Sequence, residues 1–557
     1  MSSSANLKKT DIMETLLRNT LLILVVAFAF SCEQEFTTFT NDPCDGSDPT
    51  IICPPAEFVA CPDDASPGSV DFTKFVAIGN SLVAGYQAAA LYTEGQQNSL
   101  PRILAKQFEC VGGSPVFNQP DIGSANGYNS LFSDPSQGII LGRLILFDTG
   151  DGALPTPAGT PGLPAPYNSA DLPGPFTGDK AALNNFGVPG IILAQALTEF
   201  TGGPPTANPA FNPYYARFAS NPGTSTLLGD AIAAQGSFYL FSLGINDVLG
   251  YAIGGASDED ILTDAESFAL FYEGALGTLQ NSLPEVKGVV TNIPDVTLFP
   301  YFRTISWNAI GFDPDDPADM GTVALLNQAF AGFNAALDGL VAFLGHDAAD
   351  AALRKVSYSA GANPILIIDE ELEDLGPKFD LLLANQASTP EQRAALAPYE
   401  QARPMNQNEL VAFPAALILG TLADPGNPTS IYGPVVPLND GLILTEDEIG
   451  LIRDRIDDFN NSISVSVGQR NGMFALADVY TLYNTFATQG IAFSNGVAMT
   501  PSLAPPTGTF SEDGLHPNSR GYAHLANYII SVINASFGAS IPQAHVGEYQ
   551  STHLPLP

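Results

Sequence analysis

Phe72-Thr73-Lys74-Phe75-Val76-Ala77-Ile78-Gly79-Asn80-Ser81-Leu82 opens the folded part of the chain, and the rest is read outward from it. The apolar run 72–78 has the length of a buried strand. It breaks at Gly79-Asn80-Ser81-Leu82 and passes into helix-like sequence through residue 107. A serine in such a turn sits at the carboxyl end of a strand beside a helix N-terminus, where outward-pointing N–H groups favour negative charge. A second candidate strand, 237–243, ends in Gly244-Ile245-Asn246-Asp247 and leads to a helix expected over 258–283. A third, 288–292, stops before Pro294. Residues 473–479 give a fourth, and 520–537, apolar at helical spacing, form a closing helix. Strands alternating with helices imply a parallel sheet covered on both faces. Catalytic groups then belong at the carboxyl ends of the strands.

Composition narrows the class. The 557 residues hold 20 Lys+Arg against 58 Asp+Glu, a formal net charge of −38. That balance argues against a nucleic-acid partner, which needs a basic face. Hydrophobic residues at 45% and charged residues at only 14% describe a chain able to bury a large core, not a disordered acidic one. The 52 Gly and 45 Pro predict long loops. An acidic surface keeps a protein soluble and suits salty surroundings, where self-repulsion is screened.

The N-terminal segment carries Lys8, Lys9 and Arg18 ahead of the apolar run 21–30, the layout of a signal peptide over 1–31, too short to span a bilayer. Ala29-Phe30-Ser31-Cys32 resembles a bacterial lipobox, with Ala29 where leucine is usual. That resemblance implies lipidation at Cys32. Glu33 and Glu35 resemble the export signal of surface lipoproteins, so the outer membrane or cell surface is the expected location. The competing reading is an ordinary signal peptide with a chance cysteine. Residues 32–70, rich in Asp, Pro and Ser, read as a tether. Cys44, Cys53, Cys61 and Cys110 then form an even set in an oxidising compartment, allowing two disulfides in any of three connectivities. With no C-x-x-C pair and no nearby histidine, disulfides are favoured over a metal cluster.

Four polar blocks stand in order along the chain: Gly79-Asn80-Ser81-Leu82, Asn185-Phe186-Gly187-Val188-Pro189-Gly190, Gly244-Ile245-Asn246-Asp247 and Asp513-Gly514-Leu515-His516-Pro517. Together they resemble the SGNH/GDSL family of serine hydrolases. The resemblance implies a flavodoxin-like three-layer α/β/α sandwich with a parallel sheet over about 71–540, followed by a tail at 541–557. It implies Ser81 as nucleophile, His516 as general base and Asp513 as its orienting carboxylate. The Ser81 and Gly190 N–H groups and the Asn246 amide would be the oxyanion donors. These residue types suit acyl transfer. A serine hydroxyl needs an imidazole to take its proton, and the intermediate needs donors aimed at its oxygen. Of His346, His516, His524, His545 and His553, only His516 has an acidic residue three positions before it. The departure is Asn80, where the family has aspartate. It keeps the size and one acceptor oxygen but removes a charge beside Ser81.

The spacings from Ser81 to Gly190 and from Asp247 to Asp513 exceed what a compact member needs, so insertions are expected at about 112–180 and 299–468. The first, with a strand-like stretch at 139–147, reads as a rim or hairpin. The second, with helical patterns at 323–344 and 446–464 and a strand-like 364–368, reads as a cap that roofs the site and holds apolar ester groups. Asp313, Asp315, Asp316 and Asp319 lack the pattern of a calcium loop and read as a solvated acidic turn. Phe330, Phe333, Leu337, Leu340, Val341 and Leu344 form a stripe expected in a core, with an acyl pocket as the rarer alternative. The expected activity is cofactor-free hydrolysis of carboxylic esters, on a small-molecule or acylated-polymer substrate. The alternatives are a non-catalytic surface binding lipoprotein and an acyltransferase using the same serine.

Overall fold

Five short strands pair in parallel in the computed structural model: β1 Phe75–Gly79, β2 Asn185–Gly187, β3 Phe238–Ser242, β4 Lys287–Thr291 and β5 Phe474–Ala477. Their order is β5-β4-β3-β1-β2, and one cross-strand row runs Asn185, Ala77, Leu240, Val289, Ala475. This is a doubly wound order with its switch point between β1 and β3, where a crevice opens at the carboxyl ends. The structure describes residues 61–148, 153–206, 208–470 and 472–552. The leader with Cys32, together with Cys44 and Cys53, lies outside them.

The described residues form two compact units. One holds Tyr251–Glu259 and Phe302–Leu451; the other holds the sheet and the remaining chain. The helices around the sheet include α1 Ser81–Ala84, α2 Leu100–Phe108, α3 Leu227–Ala233, α4 Asn246–Ile253, whose first residues to Gly250 belong to the sheet-bearing unit, α5 Ala265–Ser282, α6 Val479–Gln489 and α7 Ser519–Phe537. Successive strand side chains point to opposite faces. Phe75, Ala77, Phe238, Leu240 and Val289 share one core with α2 and α7. On the other face Phe241 meets the Tyr272 ring of α5 at 5.5 Å, and the Tyr239 hydroxyl donates to the Ala231 carbonyl of α3 at 3.0 Å. Both faces are covered, which is why the strands read as unbroken apolar runs.

The sequence misses β2, whose three residues Asn-Phe-Gly carry no strand signal. It also runs one helix on from Ser81, whereas Gly85 ends α1 at a φ of +81° and Ser99 caps a new start at α2. The helix expected from 258 begins at Ala265, because the Asp264 carboxylate accepts the Ser267 N–H at 2.8 Å and caps it there. The strand of the first insertion sits at Leu144–Asp148, in an antiparallel hairpin with Ala153–Pro157. Of the three possible pairings, Cys61 bonds Cys110. Closing a loop across 49 positions restricts the unfolded chain, by about 4 kcal/mol in the chain-entropy picture. The stretch expected to trail off after residue 540 does not: Ile541, Ala544, Val546 and Tyr549 are buried in the core shared by α2 and α7.

The second unit is built on the 28-residue helix Pro317–Leu344. Phe330, Phe333, Leu337 and Leu340 are buried there with Leu366 and Phe379, and Val341 and Leu344 pack against them, so this stripe is core and no acyl pocket. The strand expected at 364–368 is Leu366–Ile368, antiparallel to Ala402–Pro404. Asp316 caps the long helix through the Ala318 N–H at 2.7 Å, and Asp319 accepts the Asp313 N–H at 2.8 Å. The acidic turn thus serves a helix start.

Candidate active site

Ser81 is the first residue of α1, two positions past the end of β1, and only 5% exposed. The turn that holds it depends on Gly79, where a Cβ would stand 2.4 Å from Val83 Cγ2 and 2.5 Å from the Ser242 carbonyl. Asn80 is the N-cap: its Oδ1 accepts the Leu82 N–H at 2.9 Å. Asparagine and aspartate cap about equally well. The departure at position 80 therefore leaves the turn intact.

The fourth block folds around one carboxylate. Asp513 Oδ1 accepts the N–H groups of Leu515 (2.8 Å) and His516 (2.9 Å) and the Ser511 hydroxyl (3.1 Å). Its Oδ2 accepts the Ala89 N–H (2.8 Å) and faces His516 Nδ1 at 2.8 Å. Burial pushes this carboxyl up, but the facing His516 and the backbone donors more than offset it, so it lies below the ordinary aspartate range. With Nδ1–H held by a carboxylate, Nε2 is left to accept a proton. The His516 ring also lies 4.8 Å from that of Tyr86, whose carbonyl receives the Tyr522 hydroxyl at 2.7 Å.

Two supports of this block are invisible in the sequence. Ala88 and Ala89 both adopt positive φ, 50° and 58°, which alanine avoids. The bend aims the Ala88 N–H at Ser511 Oγ (2.8 Å) and the Ala89 N–H at Asp513. Backbone strain is thus stored beside the carboxylate it orients.

Gly190 is exposed, in a turn with φ +72°, a conformation that explains the glycine. Asn246 opens α4 and donates one amide N–H to the Ile191 carbonyl at 2.9 Å, which ties the third block to the second and leaves another N–H on the same nitrogen. The neighbouring Asp247 is fully buried, accepting the Leu193 N–H and the Thr263 hydroxyl, each at 2.9 Å. Burial, only partly offset by those two bonds, raises its carboxyl to about 7. An acid raised on folding contributes stability that is full below its unfolded value, near 4, and lost as pH rises through about 7. Asp247→Asn should flatten the decline in Tm between pH 5 and 8 and melt above the unmodified protein at pH 8. Glu512, which burial also raises to about 7, keeps part of the slope. Parallel Tm–pH curves for the two proteins would show that Asp247 does not ionise in this range.

Ser81 and His516 face one cavity, with no hydrogen bond between them among the described residues. Catalytic contacts of this kind are often long until substrate tightens them. The cavity encloses about 1000 Å³ of free space, counting its open mouth. Its wall is largely apolar, and every lining residue belongs to the sheet-bearing unit. Of the lining residues Phe299 falls within the insertion expected at 299–468, and the strand ends and helices around the sheet supply the others. Among the described residues no cluster of three or more His, Cys, Asp or Glu is arranged to hold a metal ion. Comparison with protein-family models, with curated proteins and with solved structures finds no match to this chain.

Proposed function

We propose that the protein is a serine hydrolase of the SGNH/GDSL kind, on a three-layer α/β/α sandwich, that cleaves carboxylic esters through an acyl-serine intermediate. The observation that carries this reading is the His516 imidazole, held by the buried Asp513 and facing the same cavity as Ser81, at the carboxyl ends of a parallel sheet. In this scheme Ser81 Oγ attacks the ester carbonyl while His516 Nε2 takes its proton, and Asp513 stabilises the imidazolium. The Ser81 and Gly190 N–H groups and the remaining Asn246 N–H receive the oxyanion. His516 then protonates the leaving alcohol, and water repeats the sequence to free the acid. A serine-directed phosphonate should label the protein at Ser81, as read by peptide mapping, and the label should vanish in Ser81→Ala. Labelling elsewhere, or none, would favour a binding protein without turnover.

Lipidation at Cys32 would hold this activity at the outer membrane or cell surface. Cys32→Ser should move the protein from the membrane fraction to the soluble one. Retention on membranes through a high-salt wash would exclude Cys32 as the anchor.

A further inference from the structure

The chemistry of the cavity wall says what kind of group it can hold. Leu243, Ile245, Ile293, Phe299, Phe486 and Leu525 are among the apolar residues that line it. Several of the polar side chains between them are already bonded within the protein. The Thr291 hydroxyl donates to Ser242 Oγ at 2.8 Å, and Thr509 donates to the Thr500 carbonyl at 2.9 Å. Asn292 donates to Asp478 and accepts the Tyr480 N–H, at 2.8 and 3.0 Å. A sugar or a peptide would need an array of free donors and acceptors, and burying its polar groups without them is costly. A hydrocarbon needs none. Besides His516 the ionisable side chains of the wall are Tyr483, whose hydroxyl donates to the Leu298 carbonyl at 3.2 Å, and His524, its ring 5.6 Å from that of Phe486. Burial pushes that imidazole down, toward its neutral form.

The reaction decides which side of the ester enters. The leaving alcohol must depart, and water must then reach His516 from the space it vacates. A wall of leucine, isoleucine and phenylalanine that offers water few partners does not suit that side. The acyl group, by contrast, stays bound through both steps. We propose that the cavity binds the uncharged aliphatic acyl chain of a medium- to long-chain ester, making the protein a chain-length-selective acyl esterase. This inference rests on the hydrolase reading for its reaction but not for the binding itself.

The test is a series of p-nitrophenyl esters from acetate to dodecanoate, together with octanoate binding by calorimetry. Each added methylene should raise kcat/KM about fourfold until the cavity is filled, after which the gain stops. Leu249→Phe, or Leu525→Trp should the first fold poorly, narrows the cavity and should lower the octanoate-to-acetate ratio of kcat/KM at least tenfold. Phe486→Ala, which widens it, should move the break to longer chains. Ser81→Ala, which cannot turn over, should still bind octanoate with a negative heat-capacity change. Esters hydrolysed with no rise beyond acetate, and no octanoate binding, would overturn the acyl cavity and leave the hydrolase standing. Octanoate bound in a way that Leu249→Phe weakens, with no ester turned over, would keep the cavity and remove the hydrolase.

Discussion

Ser81→Ala and His516→Ala should each lower kcat on an activated short-chain ester by about 10⁴- to 10⁶-fold, and the double variant should be hardly slower than either. The two groups act as a unit, since the hydroxyl is a nucleophile only while the imidazole takes its proton. Removing one therefore removes the use of the other. The single and double variants should keep Tm close to that of the unmodified protein, because neither side chain anchors the core. Additive losses, or a fall below tenfold for either single variant, would place the chemistry elsewhere.

Asp513→Asn should cost about 10⁴-fold in kcat while leaving the site assembled. The direction of the amide follows from the donors around it. Leu515 N–H, His516 N–H and the Ser511 hydroxyl all converge on Oδ1, whereas Oδ2 receives one backbone N–H and the imidazole. The amide oxygen takes the Oδ1 position, so its NH₂ faces His516 Nδ1 and the Ala89 N–H. The ring must then accept at Nδ1 and carry its proton on Nε2, the wrong tautomer for a base. The carboxyl is also lowered on folding, so its contribution to stability is full above its unfolded value, near 4, and lost as pH falls through the folded one. The variant should accordingly lose less Tm than the unmodified protein between pH 5 and pH 3. A kcat within tenfold of normal would reduce Asp513 to a residue that merely braces its loop.

What the sequence made legible was local. β1, β3, β4 and β5 are apolar runs with punctuated ends, and each candidate catalytic residue sits in a short block beside such an end or beside a capped helix. β2 escaped because a three-residue edge strand of Asn-Phe-Gly has no period to detect. The two left-handed alanines escaped because alanine signals helix, and the contacts that hold residues 88 and 89, with Ser511, Asp513 and Leu144, come from far along the chain. The role of Asp247 was hidden in the same way, as its partners Leu193 and Thr263 are distant in sequence. The cavity was hardest of all. Leu82, Leu243, Ile293, Phe486 and Leu525 lie on five separate segments, each unremarkable as a hydrophobic residue until the sheet gathers them.

The burial of Ile541, Ala544, Val546 and Tyr549 beside α7 bears on how the protein is made. The core that backs the sheet takes one wall from α2, near residue 100, and the other from β5, α7 and this last stretch. On a ribosome the early half would wait, its apolar face open, until some 440 further residues had been synthesised, at roughly 5 to 20 residues per second. During that interval no emerging chain holds both Ser81 and His516, so on the proposed reading the site stays incomplete until synthesis is almost finished.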